Sequence, residues 1–301
     1  SASGSGPITI TCPSAPSVVV GGTVSTSGAL QITGNAATTI TLSANTTALM
    51  LNIASSANSA VVTLSGPATF NNGQLQLTAS GTGSSIVVSS VVAGANVVFF
   101  STPGSISIPA SGSISFTSAL SLGGTTAGGI AIAGMLLGST TTSTATVTLN
   151  PTGALTISGT VTSGTAPNAM QLNAGAASSI TGTLQSASNI VFGLTGAGAF
   201  GSTTYSINGA TLNFATSIHF NSPTSFNGGV TFTTPSWSAV VSGGSAIAGP
   251  SSTYDLTASA NTINSSLFPS GSNNNCVWVQ SYTGGSTVSS CASPHGRGRS
   301  P

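Results

Sequence analysis

The chain contains no lysine and no glutamate, and its 301 residues hold almost no charge of either sign. Asp255 is the only acidic side chain, and Arg297 and Arg299 are the only strongly basic ones. Charged residues make up 1% of the sequence, against about 25% in ordinary soluble domains. A nucleic-acid binder needs a basic face to neutralise phosphates, and none is encoded. An electrostatic membrane binder needs a Lys/Arg cluster, also missing. A glycosidase of the paired-carboxylate type needs two acids, and a Schiff-base or phosphate-loop mechanism needs a lysine. The chain is therefore read as non-enzymatic, with no cofactor. A surface with so little charge lacks colloidal repulsion and favours association, which suits a subunit that polymerises or one solvated by glycans.

Other shortages narrow the fold. Long apolar runs are missing: residues 127–138, the least polar stretch, contain four glycines and are too short to span a bilayer, which takes about 20 residues. No leader is visible, and the chain is read as mature with its leader removed. Good fillers of exposed helix surface are scarce, so no helix is expected. Aromatics are 5% of the chain, too few for the usual core of a compact sandwich. Yet 39% of the residues are hydrophobic, which separates the chain from a disordered one.

What is abundant is strand and turn chemistry. Short runs alternate between apolar residues and Ser/Thr: Ile8, Ile10 and Cys12; Leu75 and Leu77; Ile106 and Ile108; Ile114 and Phe116; Leu120 and Leu122; Val147 and Leu149; Leu155, Ile157 and Val161; Leu212, Phe214 and Ile218. Period-two alternation places one set on a buried face and the other in solvent. The runs recur every ~8–12 residues with Gly, Asn or Pro between them, but with no strict repeat. Asn72-Gly73, Asn208-Gly209 and Asn227-Gly228 read as tight turns. Small and medium apolar residues suffice for a solenoid, because each coil buries its inward side chains against the next. The expected fold is all-β, with a parallel β-solenoid first and β-sandwich domains with strand exchange second. The expected organisation is an N-terminal strand over residues 1–12, a β-rich body over 13–250, and a C-terminal cap or assembly segment over 251–301 with a flexible tail from about 294.

The Ser/Thr/Gly/Ala-rich strand rhythm of residues 5–235 resembles that of secreted β-solenoid adhesins and passenger domains of bacterial surface proteins. The resemblance lies in texture, not in a motif, and it implies an elongated rod exposed outside the cell.

Few residues invite a site. The three cysteines are Cys12, Cys276 and Cys291. Cys276 and Cys291 are close enough in sequence for a loop-closing disulfide in an oxidising compartment. Cys12 is then a buried thiol, a link to a neighbouring subunit, or a partner for the C-terminal region. No pair of Cys or His has metal-ligand spacing, and no metal is expected. His219 and Asp255 invite a Ser/His/Asp set, but no G-x-S-x-G elbow supports it, so a surface histidine and a turn aspartate are the preferred readings. Asn45-Thr46-Thr47 and Asn264-Ser265-Ser266 are N-glycosylation sequons. Trp237, Trp278, Tyr254 and Tyr282 are candidates for a carbohydrate platform or for packing. Thr9/Thr11, Thr144/Thr146/Thr148 and Thr231/Thr233 suggest an ice-binding array as a third reading.

The leading expectation is a structural subunit of an extracellular filament or surface layer, whose principal partner is itself. Residues 5–12, carrying Ile8, Ile10 and Cys12, and residues 276–280, carrying Val277 and Val279, are the candidate strands for pairing between subunits. A monomeric, glycan-binding adhesin is the alternative, with glycans as bound or covalent partners and neither nucleic acid nor a membrane span.

Overall fold

The computed structural model describes residues 2–36, 38–123, 128–141, 144–167, 169–193 and 205–214. Beyond these it describes the backbone of the strands at 217–220, 224–227, 230–233, 237–242, 245–247, 255–257 and 276–282, together with the buried side chain of Ile218. Among the described residues there is no helix; the chain is a parallel β-solenoid. Each coil contributes a strand to each of three faces. Face I runs from Ile8–Thr11 through Ala29–Gly34 to Thr146–Asn150, Met170–Leu172, Ile190–Phe192 and Ser217–Phe220. Face II runs from Ser17–Val20 through Thr39–Leu42, Val61–Leu64 and Ser85–Val88 to Tyr205–Asn208 and Thr224–Asn227. Face III runs from Ala2–Gly4 and Thr23–Thr26 to Met135–Gly138, Thr160–Ser163, Thr183–Ser186 and Thr211–Phe214.

In the coils between, faces III and I are served by single long strands: Asn45–Ser55, Ala68–Ala79, Val91–Ser101 and Ser113–Gly123. Register shifts within these strands, such as those between Ala48 and Met50 and between Val92 and Val97, mark the bend from one face to the other. These continuous strands join faces I and III into one 20-stranded sheet, while face II forms an 11-stranded sheet.

The alternation read from the sequence is what fills the interior. Leu30, Leu51, Leu75, Val98, Leu120, Val147 and Met170 stack in register along face I, all buried. Ile132, Ile157, Ile180 and Ile207 do the same along face II. Each such side chain contributes roughly 1.5–3 kcal/mol by leaving water, and like residues stacked on like leave few voids. The three faces share one continuous hydrophobic cluster.

The rungs keep register although coil length varies, which is why no repeat shows in the sequence. Ile8 pairs with Leu30, 22 residues on; Met170 pairs with Ile190, 20 on; Ile190 pairs with Ile218, 28 on. The difference is absorbed at corners. There, buried hydroxyls donate to carbonyls of an adjacent coil: Ser55 Oγ to Gly34 O at 3.1 Å, Ser90 Oγ to Gly66 O at 2.8 Å and Thr102 Oγ1 to Ser84 O at 2.8 Å. A hydroxyl buried without such a partner is costly, so these bonds let Ser and Thr face inward where the chain turns.

The two Asn-Gly pairs that lie wholly within the described residues serve as a bend and a corner rather than as links between antiparallel strands. Asn72-Gly73 lies inside the strand Ala68–Ala79, at its bend, with Asn72 at φ 57°. Gly209, at φ 60°, turns the corner between Tyr205–Asn208 and Thr211–Phe214, which lie on different faces. The left-handed conformation these pairs favour is used for bends and corners of a parallel coil. Asn227 ends a strand, and Gly228 lies outside the described residues.

Tyr205 is the largest fully buried side chain among the described residues. Its hydroxyl donates to Leu172 O at 2.7 Å and accepts from Ala174 N at 2.9 Å, and its ring meets Phe192 edge-on with centroids 5.3 Å apart. Burial pushes its phenol up to about 12, against a partial lowering by backbone hydrogen bonds at Ala174 and Gly193. The folded state therefore holds the phenolic proton more tightly than the unfolded state, whose value is near 10. This contribution is fully present below pH 10 and is lost as pH rises towards 12, by about 3 kcal/mol at most. Urea unfolding followed at pH 8 and pH 11.5 should show the alkaline loss in the wild type. A Tyr205→Phe variant should be weaker at pH 8 by ~1–3 kcal/mol, because Ala174 N and Leu172 O lose their partner, and should fall less between the two pH values. An equal fall in both proteins would rule Tyr205 out as the source.

Candidate functional site

The ends of the three ladders are the most distinctive feature of the backbone. At the N-terminal side, Ala2–Gly4 pairs only with Thr23–Thr26, Ile8–Thr11 only with Ala29–Gly34, and Ser17–Val20 only with Thr39–Leu42, among the described residues. Among the described residues each of these strands is therefore paired on one side only. A parallel edge of this kind presents a row of N–H and C=O groups ready to accept another strand. On face I the orientation of those groups can be read. Cys12 N donates to Thr33 O, so its backbone points inward along the ladder. By alternation, the Thr9 and Thr11 backbone groups point to the free side.

At the other end every face receives antiparallel strands. Trp237–Ser242 pairs with Val230–Thr233 on face III and is followed by Cys276–Tyr282; Ser245–Ile247 pairs with Thr224–Asn227 on face II; Asp255–Thr257 pairs with Ser217–Phe220 on face I. The change from parallel to antiparallel begins at Trp237. Both described strands of the 251–301 segment, Asp255–Thr257 and Cys276–Tyr282, lie on these outer positions. The two candidate assembly strands are thus kept apart. Ile8 and Ile10, partly buried, lie at the start of face I with Cys12 packed beside them on the same cluster. Val277 and Val279 lie at the end of face III, opposite Val241 and Ala239.

The remaining residues singled out from sequence fall as follows. Cys12 is a free thiol of intermediate exposure. Cys276 opens its strand opposite Ser242, and Cys291 lies outside the described residues, as do Asn264 and Tyr254. Asn45 is exposed at the first position of its strand, and Thr47 of the same sequon is exposed too, whereas Thr46 is buried. His219 and Asp255 are direct partners in the antiparallel register. Trp237 and Tyr282 are likewise paired, and Trp278 lies opposite Val240. Among the described residues no three His, Cys, Asp or Glu gather as metal ligands, and no helix is long and apolar enough to cross a membrane.

The threonine arrays do not join. Thr9 and Thr148 share one outward column of face I, but Gln31, Asn52, Gln76, Phe99 and Ser121 stand between them. Thr231 and Thr233 lie on face III. The mixed column with its exposed Phe99 was not singled out from the sequence. Its signal was there, as the outward partners of the alternating runs, but only the register brings them into line.

Comparison with protein-family models, with curated proteins and with solved structures gives no match. The class defined by the fold is that of parallel β-solenoids with antiparallel strands closing one end.

Proposed function

We propose that this chain is a structural subunit of an extracellular filament or surface layer, and that copies assemble by β-strand pairing. The observation that carries the reading is that, among the described residues, the first strand of each face pairs on one side only. A contact joining the end of one copy to the start of the next is heterologous, and repetition of such a contact builds a fibre. The near-absence of charge supports the same reading, since nothing on the surface opposes close approach of like copies. An extracellular setting suits this composition, and glycans on exposed positions such as Asn45 would supply solvation that charge does not.

The edge can be blocked without dismantling the fold. Proline at positions 9 and 11 removes N–H groups from the free side while leaving those of Ile8, Ile10 and Cys12 on the inner ladder, and edge strands tolerate it. Electron microscopy of the purified wild-type chain at neutral pH should show filaments. The Thr9→Pro/Thr11→Pro double variant should show dispersed particles with an unchanged far-UV circular dichroism spectrum. A wild type that stays monomeric would overturn the assembly reading, and filaments from the double variant would overturn pairing through this edge.

A further inference from the structure

The outward side of face I is richer in amides than that of face II, and its amides recur over more rungs than the Gln185 and Asn213 pair of face III. Of the chain's six glutamines, Gln31, Gln74, Gln76 and Gln171 lie on this face. Gln31, Asn52 and Gln76 occupy successive rungs of one column, and the next two rungs hold Phe99 and Ser121. The matching column of face II runs Val19, Thr41, Thr63, Val87, Ser107, with no amide at all. Rungs of a parallel sheet are about 4.8 Å apart, so the amides repeat at that interval along the solenoid.

Other amides of the protein are used internally: Asn189 Oδ1 accepts from Ala169 N, Asn58 Oδ1 from Thr82 N, and Asn173 Nδ2 donates to Asn150 Oδ1. Gln31 and Gln74 are exposed and Asn52 and Gln76 half-exposed, with no such role among the described residues. Phe99 is 42% exposed although the same strand buries Val98 and Phe100 completely. It stands between Gln76 and Ser121, and Val97 lies two residues back beside Gln74.

We propose that this face binds a neutral polysaccharide, which lies across the strands with one sugar ring on Phe99. Side-chain amides both donate and accept, as sugar hydroxyls do, and they meet them without the cost of desolvating an ion. The phenyl ring offers a flat apolar platform for the C–H face of a pyranose. The described part of the face carries no Lys or Arg, and its histidine, His219, lies at the far end of the column opposite Asp255, so the stretch around Phe99 has nothing to draw uronate or sulfate groups. The chemistry therefore selects uncharged chains over acidic ones.

The test is low-speed co-sedimentation of the purified chain with microcrystalline cellulose, with insoluble chitin and with calcium-alginate beads, against a blank without polysaccharide. Binding to cellulose or chitin is expected, with little on alginate. Phe99→Ala should weaken it by about tenfold, as expected for losing a buried ring face. Gln31→Ala/Gln76→Ala should weaken it as well, and Thr63→Ala on face II should leave it within about twofold, as for a residue outside the contact. The proposal fails if neither neutral polymer retains the wild type, if alginate retains it as well as they do, or if Phe99→Ala binds unchanged. It fails equally if the wild type sediments as much in the blank and Phe99→Ala abolishes that, because the face would then meet a second copy of the chain. The Thr9→Pro/Thr11→Pro variant keeps Gln31, Asn52, Gln76 and Phe99, so its retention on cellulose or chitin separates this binding from filament formation.

Discussion

Gly159→Val should be among the most damaging single substitutions in this protein, costing about 4 kcal/mol, the sum of overpacking and a lost buried hydrogen bond. A Cβ placed on Gly159 would lie 1.9 Å from the carbonyl oxygen of Gly134 in the preceding coil. That oxygen already accepts Thr160 N at 3.0 Å, so the intruding carbon would break a rung as well as push on it. The same corner recurs along the stack. A Cβ on Gly134 would meet Gly112 O at 2.1 Å, and one on Gly182 would meet Gly159 O at 2.0 Å. In each case the neighbour is backbone, which cannot step aside without separating the strands. These glycines are present because two main chains pass too closely for any side chain, and no positive φ is needed to explain them. Thermal unfolding followed by circular dichroism should show a large fall in midpoint for Gly159→Val and a smaller one for Gly159→Ala. Gly6, with open space around its Cβ position, should accept alanine with little change. A Gly159→Ala protein as stable as the wild type would contradict the close-approach account.

Phe100→Ala should cost about 3–5 kcal/mol, the range for deleting a buried aromatic ring, and its effect should be regional. Phe100 is completely buried on face I between Leu77 and Leu122, which are its partners in the adjacent rungs. Each coil of a solenoid touches only its neighbours, so a cavity weakens nearby rungs far more than distant ones. The tryptophans and tyrosines report on one end only: Trp237, Trp278, Tyr205, Tyr254 and Tyr282 all lie beyond residue 200. In Phe100→Ala the circular dichroism transition should therefore move to lower denaturant and split from the fluorescence transition, which should stay close to its wild-type position. Coincident transitions that shift together would show that the stack unfolds as a single unit.

The inward columns were legible in the sequence because burial and period two are the same signal: Leu75 and Leu77, Ile106 and Ile108, Val147 and Leu149 all lie inside. The choice of a solenoid over a sandwich rested on the scarcity of aromatics and on small apolar residues, and the parallel ladders have that character. The corners were not legible. Gly112, Gly134, Gly159 and Gly182 stand 22, 25 and 23 residues apart, so their shared place in the fold is hidden by unequal coils. Asn72-Gly73 reads as a tight turn because its local preference is for a left-handed residue, and the same preference serves a bend within a strand. The outward amides of face I were equally hidden, since Gln31, Asn52 and Gln76 become neighbours only once the register is known.

The unequal coils have a consequence for how such a chain changes over time. Register is held by the rungs, while length differences are taken up at the corners, as the 20- and 28-residue coils on either side of Ile190 show. Insertions and deletions at corners therefore leave the columns in line, so long as the glycine contacts are kept. Mutation can lengthen or re-decorate individual coils one at a time, and the rod inherits each change as a local alteration of its surface.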